Sequence, residues 1–167
     1  ANFGVGYDNI DLAACAERGV IVTNTPDALT NATAELALAL AMAAARDLPG
    51  AEKDLRAGTW QGWDPRRWRG FELSGATIGV VGAGRIGGRF MELVAGFGGA
   101  RLYTSRHHKP RLEEELSARK VPLEELLELS DLVSLHLPGG LDTHHLIDEQ
   151  AIRRMKPTAV LVNTGRG

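Results

Sequence analysis

A chain of 167 residues is long enough to bury one α/β core and too short for two complete domains. Its formal net charge of -2 sets up no overall field that would draw it to nucleic acid or to an anionic membrane, so small molecules and other protein chains are its expected partners. The single cysteine, Cys15, has no partner for an internal disulfide, no charged and apolar leader opens the sequence, and the longest apolar run (36–45) is about half a membrane span, so a reducing, cytoplasmic setting is expected.

Gly4-Val5-Gly6 reads as a turn, followed by a helix from Asn9 that Gly19 ends in the left-handed conformation, and by a short strand over 20–22. Asn24-Thr25-Pro26 breaks the pattern as a hinge, since the residue before proline is pushed out of helical geometry. From Asn31 to Arg46 a helix dense in Ala and Leu is apolar on nearly every face, which implies burial between domains or against a second subunit, hence a homodimer. Pro49 and Gly50 are expected to end it, with a more polar helix running on to Ala57. Trp60, Trp63, Trp68 and Phe71 then alternate with Arg66, Arg67 and Arg69. Such mixing suits single-stranded nucleic acid, but the neutral overall charge favours a wrapping loop whose indoles pack on a neighbouring surface.

Beyond Leu73 strands and helices alternate: strand 77–81, helix 86–97, strand 101–104, a charged helical turn 113–119, helix 123–129, strand 132–137, a capped helix 148–155 and strand 159–162. That alternation predicts a parallel, doubly wound sheet.

Gly82-Ala83-Gly84-Arg85-Ile86-Gly87 is a G-x-G-x-x-G that follows a predicted strand and opens a predicted helix. In that context the hexapeptide marks a dinucleotide site and a Rossmann-type sheet. Gly82 permits the tight turn, Gly84 lets the main chain approach a pyrophosphate, and Gly87 allows close helix packing. Backbone N–H groups around Ala83 to Ile86 and the positive helix end favour an anion there. The Asp or Glu that holds a ribose 2′-hydroxyl about twenty residues on is missing, because no carboxylate lies between Glu92 and Glu113. The second strand leads instead into Ser105-Arg106-His107-His108-Lys109. A guanidinium flanked by a hydroxyl and a lysine suits a 2′-phosphate, so NADP(H) is expected over NAD(H).

Four blocks in order carry a wider resemblance: Gly4-Val5-Gly6-Tyr7-Asp8-Asn9-Ile10-Asp11; Val22-Thr23-Asn24-Thr25-Pro26 with Asn31-Ala32-Thr33-Ala34-Glu35; the glycine turn with Tyr103-Thr104-Ser105-Arg106; and Met155-Lys156-Pro157 with Val162-Asn163-Thr164-Gly165-Arg166-Gly167. Together they cover nearly the whole chain, which resembles the D-isomer-specific 2-hydroxyacid dehydrogenase family and, within it, the glyoxylate/hydroxypyruvate reductases. The resemblance implies that residues 1–25 are the end of a substrate domain with its hinge, and that 26–167 are a dinucleotide-binding domain. It implies that Val5 and Gly6 hold the substrate carboxylate, that Thr33 reaches the cofactor phosphate, and that Leu137 and Pro138 wall the adenine side. Thr164 and Gly165 would lie at the nicotinamide end, and Arg166 would be the catalytic arginine.

A guanidinium at the carboxyl end of a sheet strand projects into the ligand crevice, where it can grip a 2-oxo acid's carboxylate and polarise its carbonyl. As hydride arrives the oxygen becomes alkoxide-like, so a fixed positive charge stabilises the transition state more than the ground state. The proton donor in the family is a His paired with a Glu, both beyond the arginine. None of His107, His108, His136, His144 and His145 falls at a matching place, and the sequence ends first, so the chain is expected to be a fragment without activity of its own. His144-His145 lack neighbouring carboxylate or thiolate ligands and read as surface residues rather than a metal site, and Cys15 reads as a small core residue. Two departures from the family pattern are Gly139-Gly140, where bulkier residues are usual, and Gly165 in place of alanine or serine. Phosphoglycerate, formate and phosphite dehydrogenases share much of the pattern, and a non-enzymatic dinucleotide-sensing corepressor on the same fold is the alternative of another class.

Overall fold

The computed structural model describes residues 1–165. At its centre stands β1 (Ile78–Val81), all four of whose residues are buried, because a strand covered by helices on both faces must be apolar throughout. It is flanked by β2 (Arg101–Thr104) and β4 (Leu132–Leu135), with β3 (Arg119–Lys120) and β5 (Val160–Asn163) outside them, giving the order β3-β2-β1-β4-β5 with every pairing parallel. Progression away from β1 reverses direction there, so β1 marks the switch point at which open α/β sheets bind ligands. The expected Rossmann-type doubly wound sheet is therefore present.

On one face α4 (Arg85–Val94) buries Phe90, Met91 and Val94, and α2 (Thr30–Ala45) packs along it through Ala34, Ala37, Ala41 and Ala45. Alanines at three- and four-residue spacing form one smooth stripe, which lets the helix axes approach closely. Phe90 alone removes enough apolar surface to stabilise the fold by about 1.5–3 kcal/mol. The opposite face carries α6 (Leu123–Leu129) and α7 (Glu149–Arg154), whose Leu126, Leu127 and Ala151 meet Val81, Leu102 and Val133. At the amino ends of the strands Asp131 joins three segments. Its carboxylate accepts the Thr77 N–H at 2.9 Å and the Lys156 ammonium at 2.7 Å, and its carbonyl accepts the Val160 N–H at 3.0 Å.

Several boundaries differ from expectation. The first helix, α1 (Leu12–Glu17), starts three residues after Asn9, because the Asp11 carboxylate caps it by accepting the Ala14 N–H at 2.9 Å. The strand expected at 20–22 is irregular, with Ile21 85% exposed: β-branched residues favour a strand only where a neighbour pairs with them. Pro49 and Gly50 do not end α2. The chain turns through Asp47 (φ 47°), and Pro49 lies in the first turn of α3 (Leu48–Arg56), where a missing N–H removes no helical bond. The helical turn expected at 113–119 is α5 (Pro110–Leu116), ended by left-handed Ser117, and Arg119 belongs to β3. A 3-10 turn, Ala95–Phe97, completes the helix expected at 86–97.

In the tryptophan segment Trp68 is half-buried and Trp60, 45% exposed, lines a hollow with Leu48 and Leu55, whereas Trp63 is 85% exposed. Arg67 pairs with Asp54 and lies over the Trp68 ring at 4.8 Å, and Arg66 pairs with Asp64, so two of the three guanidinium groups are answered internally. Among the described residues no helix is long and apolar enough to cross a membrane.

Candidate functional site

The glycine turn leaves the carboxyl end of β1. Gly82 takes φ 93°, a conformation that L side chains rarely adopt, and a Cβ there would stand 2.7 Å from the His136 carbonyl oxygen. Gly84 is the N-cap of α4 in extended geometry, and among the described residues no side chain caps that helix. Its first-turn amides are therefore left to solvent or to a ligand, with the positive end of the helix dipole behind them. Among the described residues a Cβ on Gly84 would meet nothing within 4 Å, so they leave the space above the turn open. Ala83 is buried and Ile86 half-buried, while Arg85 points outward and pairs with Asp27 at 2.9 Å, linking the glycine turn to the segment before α2.

The neighbouring strand ends converge on this turn. Leu137, just past β4, brings its side chain within 2.9 Å of where a Gly82 Cβ would be, and its carbonyl within 3.5 Å of the equivalent position on Gly165. Gly165 is in turn held by its N–H bond to Asn163 Oδ1 at 2.8 Å, and Thr164 beside it is half-buried. Pro138 starts a tied turn in which the Thr143 hydroxyl donates to the Pro138 carbonyl at 2.7 Å. Arg166 lies outside the described residues. An apolar hollow of about 270 Å³ shares Leu137 with this crevice but opens between the ends of β4 and β5 and α7, away from the glycine turn.

On the other side of β1, the basic end of β2 has a defined shape. Ser105 Oγ donates to the His107 carbonyl at 2.5 Å, and the Lys109 N–H donates to the Tyr103 hydroxyl at 2.8 Å. That hydroxyl donates to Glu113 Oε1 at 2.5 Å, and Glu113 also meets His108 Nδ1 at 2.9 Å. Hydrogen bonds from Tyr103 and then His108 hold the Glu113 carboxyl below the usual carboxylate range, while burial, with Glu113 beside it, raises the Tyr103 phenol. The Lys120 ammonium on β3 donates to the Arg106 carbonyl at 3.4 Å. The exposed Arg106 guanidinium reaches Asp142 Oδ2 at 2.6 Å, joining the segment after β2 to the one beyond β4.

The amino-terminal turn is tied by its carbonyls. Asn24 Nδ2 donates to Val5 at 2.8 Å, Asn2 Nδ2 donates to Gly6 at 2.7 Å, and the Thr25 N–H donates to Gly4 at 3.1 Å. Its Asp8 abuts Gly139, whose Cβ would lie 3.3 Å from the carboxyl carbon, so this segment borders the same loop as the dinucleotide crevice. Thr33 is half-buried in the first turn of α2, and the Thr30 hydroxyl nearby is buried with no hydrogen-bond partner among the described residues.

His136 was not a candidate from sequence and its surroundings explain why it stays neutral. Burial pushes its pKa down to about 4, its ring packs on Phe90 at 5.3 Å, and Nε2 meets the buried Ser134 hydroxyl at 2.8 Å. His144 and His145 stack at 3.8 Å, and among the described residues no group of three or more His, Cys, Asp or Glu could hold a metal ion. Asp27, Asp142, Tyr103, Glu113 and Lys120 were all missed. Their side chains are brought in from other elements, and only opposite charge, as between Asp142 and Arg106 or Asp27 and Arg85, hinted at a pair.

The family described as D-isomer specific 2-hydroxyacid dehydrogenase, NAD binding domain, matches residues 38–167. A glyoxylate reductase of Thermococcus onnurineus is 48% identical over 171 aligned residues, covering 100% of this chain and 51% of its own length. The chain thus spans about half the length of the curated relatives it matches. Among solved structures, the TT0316 protein from Thermus thermophilus superimposes with TM-score 0.90 at 43% identity, over 98% of this chain and 51% of its own. A D-lactate dehydrogenase from Aquifex aeolicus, complexed with NAD and lactic acid, does so with TM-score 0.88 at 34% identity, over 98% and 48%. By sequence, by strand order and by the glycine turn at the switch point, this chain belongs to the D-isomer specific 2-hydroxyacid dehydrogenases and carries their NAD binding domain.

Proposed function

We propose that the protein reduces a small 2-oxo acid of the glyoxylate or hydroxypyruvate type to the 2-hydroxy acid, with NADPH preferred over NADH. The observation that carries this reading is the pairing of an uncapped glycine turn at the switch point with a β2 end that bears Arg106 where a ribose-binding carboxylate would stand. Relatives named glyoxylate reductase align over the whole chain and support the substrate class. The first-turn amides of α4 at Arg85, Ile86 and Gly87 would take the pyrophosphate, with Ala83 and Gly84 lining its approach. Arg106, Lys109, Ser105 and the His107 main chain would surround the 2′-phosphate. Ser105 Oγ would have to give up its bond to the His107 carbonyl to do so. Leu137 and Pro138 would wall the adenine, with Thr33 on the phosphates and Thr164 and Gly165 at the nicotinamide.

The cofactor would supply the hydride. The chain's own contribution at the reacting centre would be Arg166, gripping the substrate carboxylate with its guanidinium while Val5 and Gly6 offer main-chain groups from residues 1–25, the end of a substrate domain. Residues 26–167 would be the dinucleotide domain. The exposed outer face of α2, with Leu36 and Leu40 uncovered, would join two copies into a homodimer.

The test is an equilibrium titration of the protein with NADPH and NADH, followed by glyoxylate-dependent NADPH oxidation. Tighter binding of NADPH, reversed by Arg106→Asp, is the expected result. Preference for NADH overturns the cofactor assignment, and tight dinucleotide binding without turnover of any 2-oxo acid by the complete protein would favour a sensor instead.

A further inference from the structure

If Arg106 meets the adenosine ribose as proposed above, it does so from a guanidinium that Asp142 already occupies. Arg106 follows β2 and Asp142 lies beyond β4, and these strands flank β1 on opposite sides, so the pair bridges the two segments on either side of the strand that carries the glycine turn. Both partners are held from behind. The Arg106 carbonyl accepts from Lys120, and the turn carrying Asp142 is tied by the Thr143 hydroxyl to Pro138 at 2.7 Å and to Gly140 at 3.2 Å. What is left free to move is chiefly the two exposed side chains.

We propose that Asp142 is a specificity-determining residue, a carboxylate that occupies the Arg106 guanidinium in the empty site and is displaced by a 2′-phosphate but not by a 2′-hydroxyl. The inference rests on the reading that Arg106 meets that phosphate. A carboxylate and a phosphate present like oxygens to the same planar fork, so they compete, and a dianionic phosphate left beside Asp142 would be repelled by it. A hydroxyl offers the guanidinium no charge, so with NAD the pair persists. Asp142 thereby lowers the preference for NADP below what Arg106 alone would give.

Titration of NADP+ and NAD+ against the protein and three variants tests this. Asp142→Asn should bind NADP+ about three-fold tighter, the scale of an exposed ion pair, with NAD+ unchanged and the gain shrinking as salt is raised. Glu149→Gln removes the same charge from the exposed pair with Arg153 and should change neither. Both residues are exposed, so folding is not at stake. Equal gains for NADP+ and NAD+ in Asp142→Asn, no gain at all, or the same gain in Glu149→Gln would each overturn the role of Asp142. Arg106→Ala separates the two levels. If it abolishes the NADP+ preference while Asp142→Asn is silent, only the latch falls; if it leaves the NADP+/NAD+ ratio unaltered, the 2′-phosphate reading falls and takes the latch with it.

Discussion

Gly87 lies against Gly82 so closely that a Cβ on Gly87 would stand 2.3 Å from the Gly82 carbonyl oxygen and 3.0 Å from Val80 Cγ1. Neither neighbour can give way, since one is main chain in the turn and the other is a fully buried strand residue. Gly87→Ala should therefore cost about 1–3 kcal/mol, as overpacking does, and lower Tm by about 2–4 °C for each kcal/mol. Gly84 is the control, because its φ of -79° suits any residue and a Cβ there meets none of the described residues within 4 Å. Gly84→Ala should melt at or slightly above the parent temperature yet bind dinucleotide at least ten-fold more weakly, its methyl standing where the pyrophosphate must approach. Calorimetric melting and dinucleotide titration of both variants check this, and unchanged binding by Gly84→Ala would remove the pyrophosphate from this turn.

Asp131 secures the amino ends of the sheet, and its ionisation ties that role to pH. Burial alone would raise its pKa, but the Lys156 ammonium and the Thr77 N–H outweigh burial and hold it below the ordinary 3.8. A carboxyl depressed on folding contributes stability that is present above its unfolded pKa and lost as pH falls through the folded value. Asp131→Ala should cost about 1–3 kcal/mol at neutral pH, since it also orphans the Thr77 N–H. The difference from the parent in urea melts should narrow once the pH drops below the ordinary carboxylate range. A difference that stays constant with pH would mean the residue acts by packing alone.

The glycine turn, the four longer strands and the amphipathic helices were legible because each is encoded locally, by runs of apolar residues or by glycines at fixed spacing. β3 was not, since Arg119 and Lys120 carry no apolar pattern and are held in the sheet by register with Leu102 and Tyr103. The segment at 20–22 failed the other way, having strand-like residues but no strand beside it among the described residues. Within the site, main-chain parts were visible in the sequence and side-chain partnerships were not. Asp142 meets Arg106 across 36 residues, and the Tyr103, Glu113 and His108 cluster forms only because β2 and α5 fold back on each other. Arg166 was named from its motif and lies outside the described residues.

The half-buried His136 should give the protein an acid-sensitive stability. Its folded pKa of about 4 lies below the ordinary 6.5, so the unfolded chain takes up a proton that the folded chain refuses. Stability from this group is complete above pH 6.5 and declines as pH falls toward 4, by about 2 kcal/mol at pH 5 from the linkage relation. His136→Leu keeps an apolar body against Phe90 while leaving Ser134 without its partner, at a cost of about 1 kcal/mol near neutrality. Denaturant melts between pH 7 and 5 should show the parent losing stability steeply and the variant losing less, so that the variant, less stable near neutrality, is the more stable by about 1 kcal/mol at pH 5. Parallel pH slopes would place the lost proton on another group.

The α2 helix shows one face of buried alanines and, on the other, Leu36 and Leu40 one turn apart and 53% and 42% exposed. Met42 is also uncovered, and α3 extends the surface with Leu48, Leu55 and the adjoining Trp60 around a shallow apolar hollow. Alanine on the inner face already satisfies packing on α4, so large outer side chains add nothing to this chain's own core. Leaving them in water forgoes about 25 cal/mol for each Å² of apolar surface that a partner would cover. A second copy burying this face is the arrangement proposed above, and Leu40→Glu places a charge at its centre without touching the inner alanines. Sedimentation of the parent should give a dimer and of the variant a monomer, with circular dichroism unchanged and an unfolding midpoint that no longer depends on protein concentration. A parent that sediments as a monomer at micromolar concentration would remove the dimer, and the exposed leucines would then require a different partner.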